Sequence, residues 1–298
     1  MATLYTHQTE NIWRTWFLMA VFFGLVIAIG WIVSWYYNNA FILYIAVIFS
    51  IVMNITSYWF SDKIVLKLAG AHPATREEYR DLWNIIENLS ITAGLPMPKV
   101  FIIDDPAPNA FATGRNKEHA VVAVTTGILP LLTKTELEGV IAHELSHIGN
   151  RDMLVSTVAV VLAGFVSILS HIFLRSLQFG GGRSDRREGG GILVIIGVVL
   201  AILAPIFATL IRLAVSRKRE LLADASGALL TRYPEGLASA LQKISAYGRP
   251  MIHANDAIAH LYISDPFTVK RTTSFFSKLL MTHPPVEERV AALREMEV

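Results

Sequence analysis

Residues His143-Glu144-Leu145-Ser146-His147 decide how this chain reads. On a helix, positions i and i+4 stack on one face, so both imidazoles reach a single metal ion and Glu144 lies within reach of a bound water. Metalloproteases use this spacing to hold zinc through two histidines, with the glutamate as general base. The bland alternative is a surface helix carrying two solvated imidazoles. Context favours the metal. Thr133 with Glu136 three residues on makes a capping box, which starts a helix running through about Gly149. Leu137, Ile141, Leu145 and Ile148 form a separate apolar stripe, so packing does not need the imidazole face.

Two histidines leave zinc incomplete, because a catalytic site takes three protein ligands plus water. Downstream, Glu220-Leu-Leu-Ala-Asp224 offers Glu220 as third ligand and Asp224, one turn later, as the carboxylate behind a ligand imidazole. Alone, these acids would read as a solvated helix face; with the upstream motif they read as part of one site. The chain has no cysteine, which excludes disulfides, thiolate chemistry and any Cys-ligated metal. Its net charge of +2 gives no ground for nucleic-acid binding.

Outward from the motif, the 298 residues divide by charge. Hydrophobic residues make up 53% and charged residues only 17%, against about 25% charged in ordinary soluble domains. No charge occurs from Thr15 to Ser61, from Met153 to Leu174, or from Gly189 to Ile211. These runs hold four membrane-length pieces, 16–37, 40–60, 153–174 and 190–211, each with the roughly 20 apolar residues that a span needs. The remainder carries an ordinary share of charge. A wholly soluble enzyme is excluded, and a channel or carrier with most of its mass in lipid is disfavoured. The first pair forms a tight hairpin through Asn38-Asn39, with Trp13, Trp16, Trp35, Tyr36, Tyr37 and Trp59 marking its interfaces. Its first apolar run is too long, and too little preceded by basic residues, for a cleavable signal peptide, so a retained helix is expected.

The expected organisation has four parts. Residues 1–61 are the transmembrane hairpin, and 62–152 the first part of a catalytic domain with the zinc-binding helix. Residues 153–211 hold the second apolar pair around a Gly/Arg-rich linker, 175–191, and 212–298 the second part of the catalytic domain. In 62–152 the patterns predict a helix over 75–89, a strand over Lys99–Ile103, turn chemistry at both ends of 108–114, and a strand over His119–Thr125. Helices are predicted over 235–247 and 286–296. The fold class is α+β and mostly helical, with a small β-sheet and about four transmembrane helices.

Four strings then carry a resemblance. They are Pro108-Asn-Ala-Phe-Ala-Thr-Gly114; His143-Glu-Leu-Ser-His147 with Gly149-Asn-Arg-Asp152; Arg217-Lys-Arg-Glu-Leu-Leu-Ala-Asp224; and His283-Pro-Pro-Val-Glu-Glu-Arg289. In this order they resemble the HtpX-type membrane zinc metalloproteases, relatives of the CAAX prenyl-protein endopeptidases, over about residues 10 to 293. One departure is Leu221, where the family usually has an aromatic. The resemblance implies a gluzincin-like core and one Zn2+ per chain on His143, His147 and Glu220, with Glu144 as base. It also implies oxyanion-stabilising roles for Asn109 and His283, and a quality-control task on misfolded or unassembled membrane proteins. Without it, Asn109 reads as a turn residue and His283 as a helix-entry residue ahead of Pro284-Pro285.

The ligand set constrains topology. His143 and His147 precede the second apolar pair and Glu220 follows it, so that pair must cross the membrane an even number of times. Placing the N-terminus and both polar stretches on the cytoplasmic face of a plasma membrane leaves no charge in the 38–39 turn, as the positive-inside tendency prefers. Arg175, Arg183, Arg186 and Arg187 then fall outside, against the same tendency. The expected partners are the bilayer and unfolded polypeptide, held in extended form along the edge of the strand near 120–125. No pattern specifies an oligomeric state. Two other functional classes compete. A catalytically idle, zinc-stabilised scaffold or chaperone would have no need of Glu144. A metal carrier, suggested by Pro205 in the fourth span, would need ionisable residues inside the spans, and these are lacking.

Overall fold

The computed structural model describes residues 4–162, 164, 197, 217–255, 257–267 and 284–296. The chain opens with α1 (Leu4–Tyr36) and α2 (Ala40–Trp59). Asn39 caps α2 by accepting the Phe41 N–H at 3.0 Å, so the three residues 37–39 suffice to reverse the chain. Both helices are long and apolar enough to cross a membrane, and protein covers little of either. Phe41, Ile48, Ile55 and Trp59 point outward. The third expected span begins in a short apolar helix, Asp152–Leu162. Apart from residues 164 and 197, the rest of it, the linker 175–191 and the fourth piece lie outside the described residues.

Helix α3 (Ser61–Leu68) leads into β1 (Ala71–Pro73), α4 (Arg80–Ala93) and β2 (Lys99–Ile103). Helix α4 starts later than its apolar periodicity predicts, because Thr75 closes a turn in which its carbonyl accepts from Tyr79 N at 3.1 Å. Gly94, at φ 63°, ends it in the left-handed conformation that glycine adopts without strain. Next come β3 (Ala110–Gly114), β4 (Ala120–Thr125), α5 (Ile128–Leu131) and α6 (Lys134–Asn150). Helix α7 is the Asp152–Leu162 segment already named. Helices α8 (Arg217–Thr231), α9 (Pro234–Ala246) and α10 (Val286–Arg294) complete the described chain.

The four strands run in the order β1-β2-β4-β3, with β2 parallel to β4 and the outer pairs antiparallel. This corrects the sequence reading at one functional point. Strand β4 is bonded on both sides, so its edge is unavailable; 110–114, within the segment 108–114 read as having turn chemistry at both ends, is an edge strand instead. Short, small residues hid it: Ala110, Ala112 and Gly114 carry no β-branched signal. One face of the sheet packs on α6, and Val122, Val124, Ile141, Leu145, Ile148 and Leu237 share the largest core cluster. Part of the β3 edge is already covered, since Ile263 N donates to Ala110 O at 2.9 Å.

Candidate metal centre

The capping box on α6 forms as the sequence predicts. Thr133 N donates to Glu136 Oε2 at 2.8 Å, and Glu136 N lies 3.4 Å from Thr133 Oγ1. Burial alone would raise the Glu136 carboxyl, but hydrogen bonds from Lys243, Ser239 and Thr133 override it and hold it at about 2. This anchored start fixes the rotation of α6, and with it the face that carries His143 and His147.

Helix α8 lies against that face. A Cβ on Gly227 would stand 2.9 Å from the His143 backbone nitrogen, so the helices touch backbone to backbone where a larger residue would hold them apart. The approach delivers Glu220 to the two imidazoles. His143 Nε2 and His147 Nε2 are 3.2 Å apart, and the Glu220 oxygens stand 3.9 and 3.6 Å from them. All three side chains are buried or nearly so.

The outer nitrogens decide what these groups want. His143 Nδ1 faces Asp224 Oδ1 at 2.9 Å, and His147 Nδ1 faces Asp152 Oδ2 at 3.2 Å. Each Nδ1 therefore carries the proton and donates outward, which turns both Nε2 lone pairs inward. Two lone pairs and a carboxylate converging in a buried space repel one another unless a cation sits among them. Ligand atoms at about 2.0–2.1 Å from a tetrahedral zinc are about 3.3 Å apart, and the donor set fits that spacing. The electrostatics agree. Burial alone would lower the His147 pKa, but the Asp152 hydrogen bond and the Glu220, Asp152 and Glu144 charges push it up to about 9. The site holds a place for positive charge.

Asp224 is clamped from behind. Arg289 donates to it twice, from Nε at 2.8 Å and Nη2 at 2.7 Å, and gives Nη1 to Ile263 O at 3.1 Å. Burial opposes ionisation of Asp224, but the Arg289 charge and the Arg289 and His143 hydrogen bonds keep its pKa below the usual carboxylate value. Glu144 sits beside the donors, buried. Burial pushes its carboxyl up, Glu220 adds to this, and the His143 and His147 charges and the Ala112 backbone N–H pull the other way. The net upward shift suits a group that must take and return a proton near neutral pH.

His143, Glu144, His147, Asp152 and Glu220 line a cavity of about 40 Å³, walled by Ala112 from the edge strand and by His260–Ile263, with Asp224 and Arg289 behind it. The geometry thus brings together His143, Glu144, His147, Glu220 and Asp224. It leaves Asn109 apart. The Asn109 amide donates to Ser264 O at 2.9 Å and Met251 Sδ at 3.5 Å, and its Oδ1 lies 3.3 Å from Ser264 N. Its donors are spent on holding the 264 segment, and it lines a separate cavity of about 290 Å³. His283 lies outside the described residues. Two residues of the quoted strings, Asp152 and Arg289, belong to the site although the sequence reading gave them no role. A carboxylate five residues after His147 was the available signal for the first.

The sequence matches Peptidase family M48 over residues 76–297. The chain belongs to this family. A protein named "Protease HtpX homolog" from Thermoanaerobacter pseudethanolicus is 46% identical over 99% of this chain and 98% of its own length. One of the same name from Pyrococcus furiosus is 47% identical over 95% of each. Among solved structures, the crystal structure of S. mikatae Ste24p aligns at TM-score 0.52 and 19% identity, over 97% of this chain and 67% of that one, and so shares the fold. Family M48 membership and the His143, His147, Glu220 cluster make the chain a metalloprotease, and it carries two helices of membrane-crossing length and composition.

Proposed function

We propose that the chain is an integral-membrane zinc endopeptidase that cleaves misfolded or unassembled membrane proteins. It would lie in the plasma membrane with its catalytic part facing the cytoplasm. One observation carries the reading: three inward lone-pair groups converge beside a buried carboxylate whose proton affinity is raised. His143, His147 and Glu220 would hold one zinc ion. That ion, when bound, lowers the pKa of water toward about 7 and polarises a carbonyl. Glu144 takes the proton from the attacking water and returns it to the leaving amine. Asp224 and Asp152 keep both imidazoles in the tautomer that binds metal.

Substrate is held in extended form along β3, which among the described residues is an outer strand of the sheet and meets the cavity at Ala112. Backbone pairing of this kind recognises unfolded segments with little regard to sequence. The oxyanion donor implied by the resemblance falls to His283, since the Asn109 amide is engaged with Ser264.

The test is Glu144→Gln in the detergent-solubilised full chain, with casein cleavage and zinc content both measured. Cleavage should fall about 10²–10⁴-fold, with zinc still bound at one per chain. Wild-type cleavage by the variant would overturn the base assignment, and a wild-type chain that binds zinc but cuts nothing would revive the idle scaffold. A wild-type chain that takes up no zinc would sink the ligand set.

A further inference from the structure

Asn11 lies on α1, in the first apolar hairpin, and is 3% exposed. A buried carboxamide is stable only with its hydrogen-bonding groups matched. Here Nδ2 donates to Asp152 Oδ1 at 2.7 Å and to Asn150 O at 3.2 Å, and Oδ1 accepts from Arg219 Nη1 at 3.3 Å. The amide orientation follows from these neighbours: the carboxylate and carbonyl need the NH₂, and the guanidinium needs the oxygen.

Each contact reaches a different part of the metal centre. Asn150 is the last residue of α6, the helix bearing His143 and His147. Asp152 holds His147 Nδ1 through its other oxygen. Arg219 immediately precedes Glu220.

We propose that Asn11 is a positioning residue for the metal centre, fixing the Asp152 carboxylate so that His147 presents its inner nitrogen to the ion. An apolar hairpin helix is thereby a working part of the site. The inference rests on the zinc reading above. Asn suits the place and close substitutes do not. Asp would set a carboxylate against Asp152 and the Asn150 carbonyl. Leu would leave Asp152 and Arg219 short of a partner in a buried space.

A merely structural role predicts that any weakening of α1 docking acts alike. Leu18, two turns along α1, packs with Val155 and Ala159 of α7 and makes no polar contact with the site. The experiment measures zinc release from the solubilised full chain to a chelator, for wild type, Asn11→Leu and Leu18→Ala. Asn11→Leu should release zinc at least 10-fold faster than wild type, and Leu18→Ala at the wild-type rate but with a lower melting temperature. Wild-type release from Asn11→Leu, or equal acceleration in both variants, would overturn the proposal. Should Asn11→Leu fail to fold, Asn11→Asp keeps the side-chain shape and carries the same expectation and the same reversal. Glu220→Gln serves as an independent arm: unchanged release there would remove the ligand assignment itself, whatever Asn11 does.

Discussion

His143 and His147 are one turn apart on the same helix, yet the carboxylates behind them belong to different parts of the molecule. Asp224, behind His143, is locked inside the protein core by two hydrogen bonds from the fully buried Arg289. Asp152, behind His147, stands at the start of the apolar helix α7 and is held by Asn11 of α1 and, at 3.5 Å, by Arg219. The same chemical task is thus anchored once in the interior and once in the apolar helices. An inner anchor ties the site to folding of the catalytic part. An outer anchor ties it to the packing of α1 against the apolar helix α7.

The comparison breaks most sharply at Asp224. Asp224→Ala leaves the Arg289 guanidinium buried without its counter-charge, and should cost about 3–5 kcal/mol of stability in thermal unfolding. A loss below about 1 kcal/mol would put the two carboxylates on an equal footing. Next is Gly227→Ala, which forces α8 off His143 and should cost about 1–3 kcal/mol. It should also weaken zinc binding, read by chelator competition, because it moves Glu220 away from both imidazoles together.

Glu136 tests the other end of α6. Glu136→Gln should cost about 1 kcal/mol or somewhat more, with zinc affinity unchanged. Its folded-state pKa lies below the unfolded value, so its contribution is present above about pH 4.5 and is lost as pH falls toward 2. The stability gap between wild type and variant should therefore close across that window. The smallest change in stability is expected at Asp152→Asn, under about 1 kcal/mol, accompanied by a roughly 10-fold loss of zinc affinity. A stability loss matching that of Asp224→Ala would erase the distinction.

The parts legible in the sequence were those with local signatures. The capping box set the start of α6, the i, i+4 histidines set its working face, and Glu220 with Asp224 repeated that logic on α8. What escaped was non-local. That β3 rather than β4 forms the edge depends on β2 pairing in parallel with β4 past the intervening β3, and the small residues of β3 gave little strand signal. Arg289 and Asp152 stood inside quoted strings, but a guanidinium 65 residues from its carboxylate has no spacing to betray it. Asn11 lies 141 residues from Asp152 and sits in an apolar run that masks a single amide.

The β3 edge has a consequence for whatever is cut. Among the described residues Ile263 occupies the Ala110 carbonyl, so on the proposed reading the stretch from about Ala112 to Gly114 would be left to grip a chain. At about 3.4 Å per residue this is on the order of 10 Å. So short a grip discriminates weakly by side chain, yet it still demands residues freed from their own sheets and helices. A target must first unravel locally, and the free energy of that opening sets how often it is available. Turnover would then rank client proteins by how readily they fray, and the enzyme would act as a gauge of their local stability.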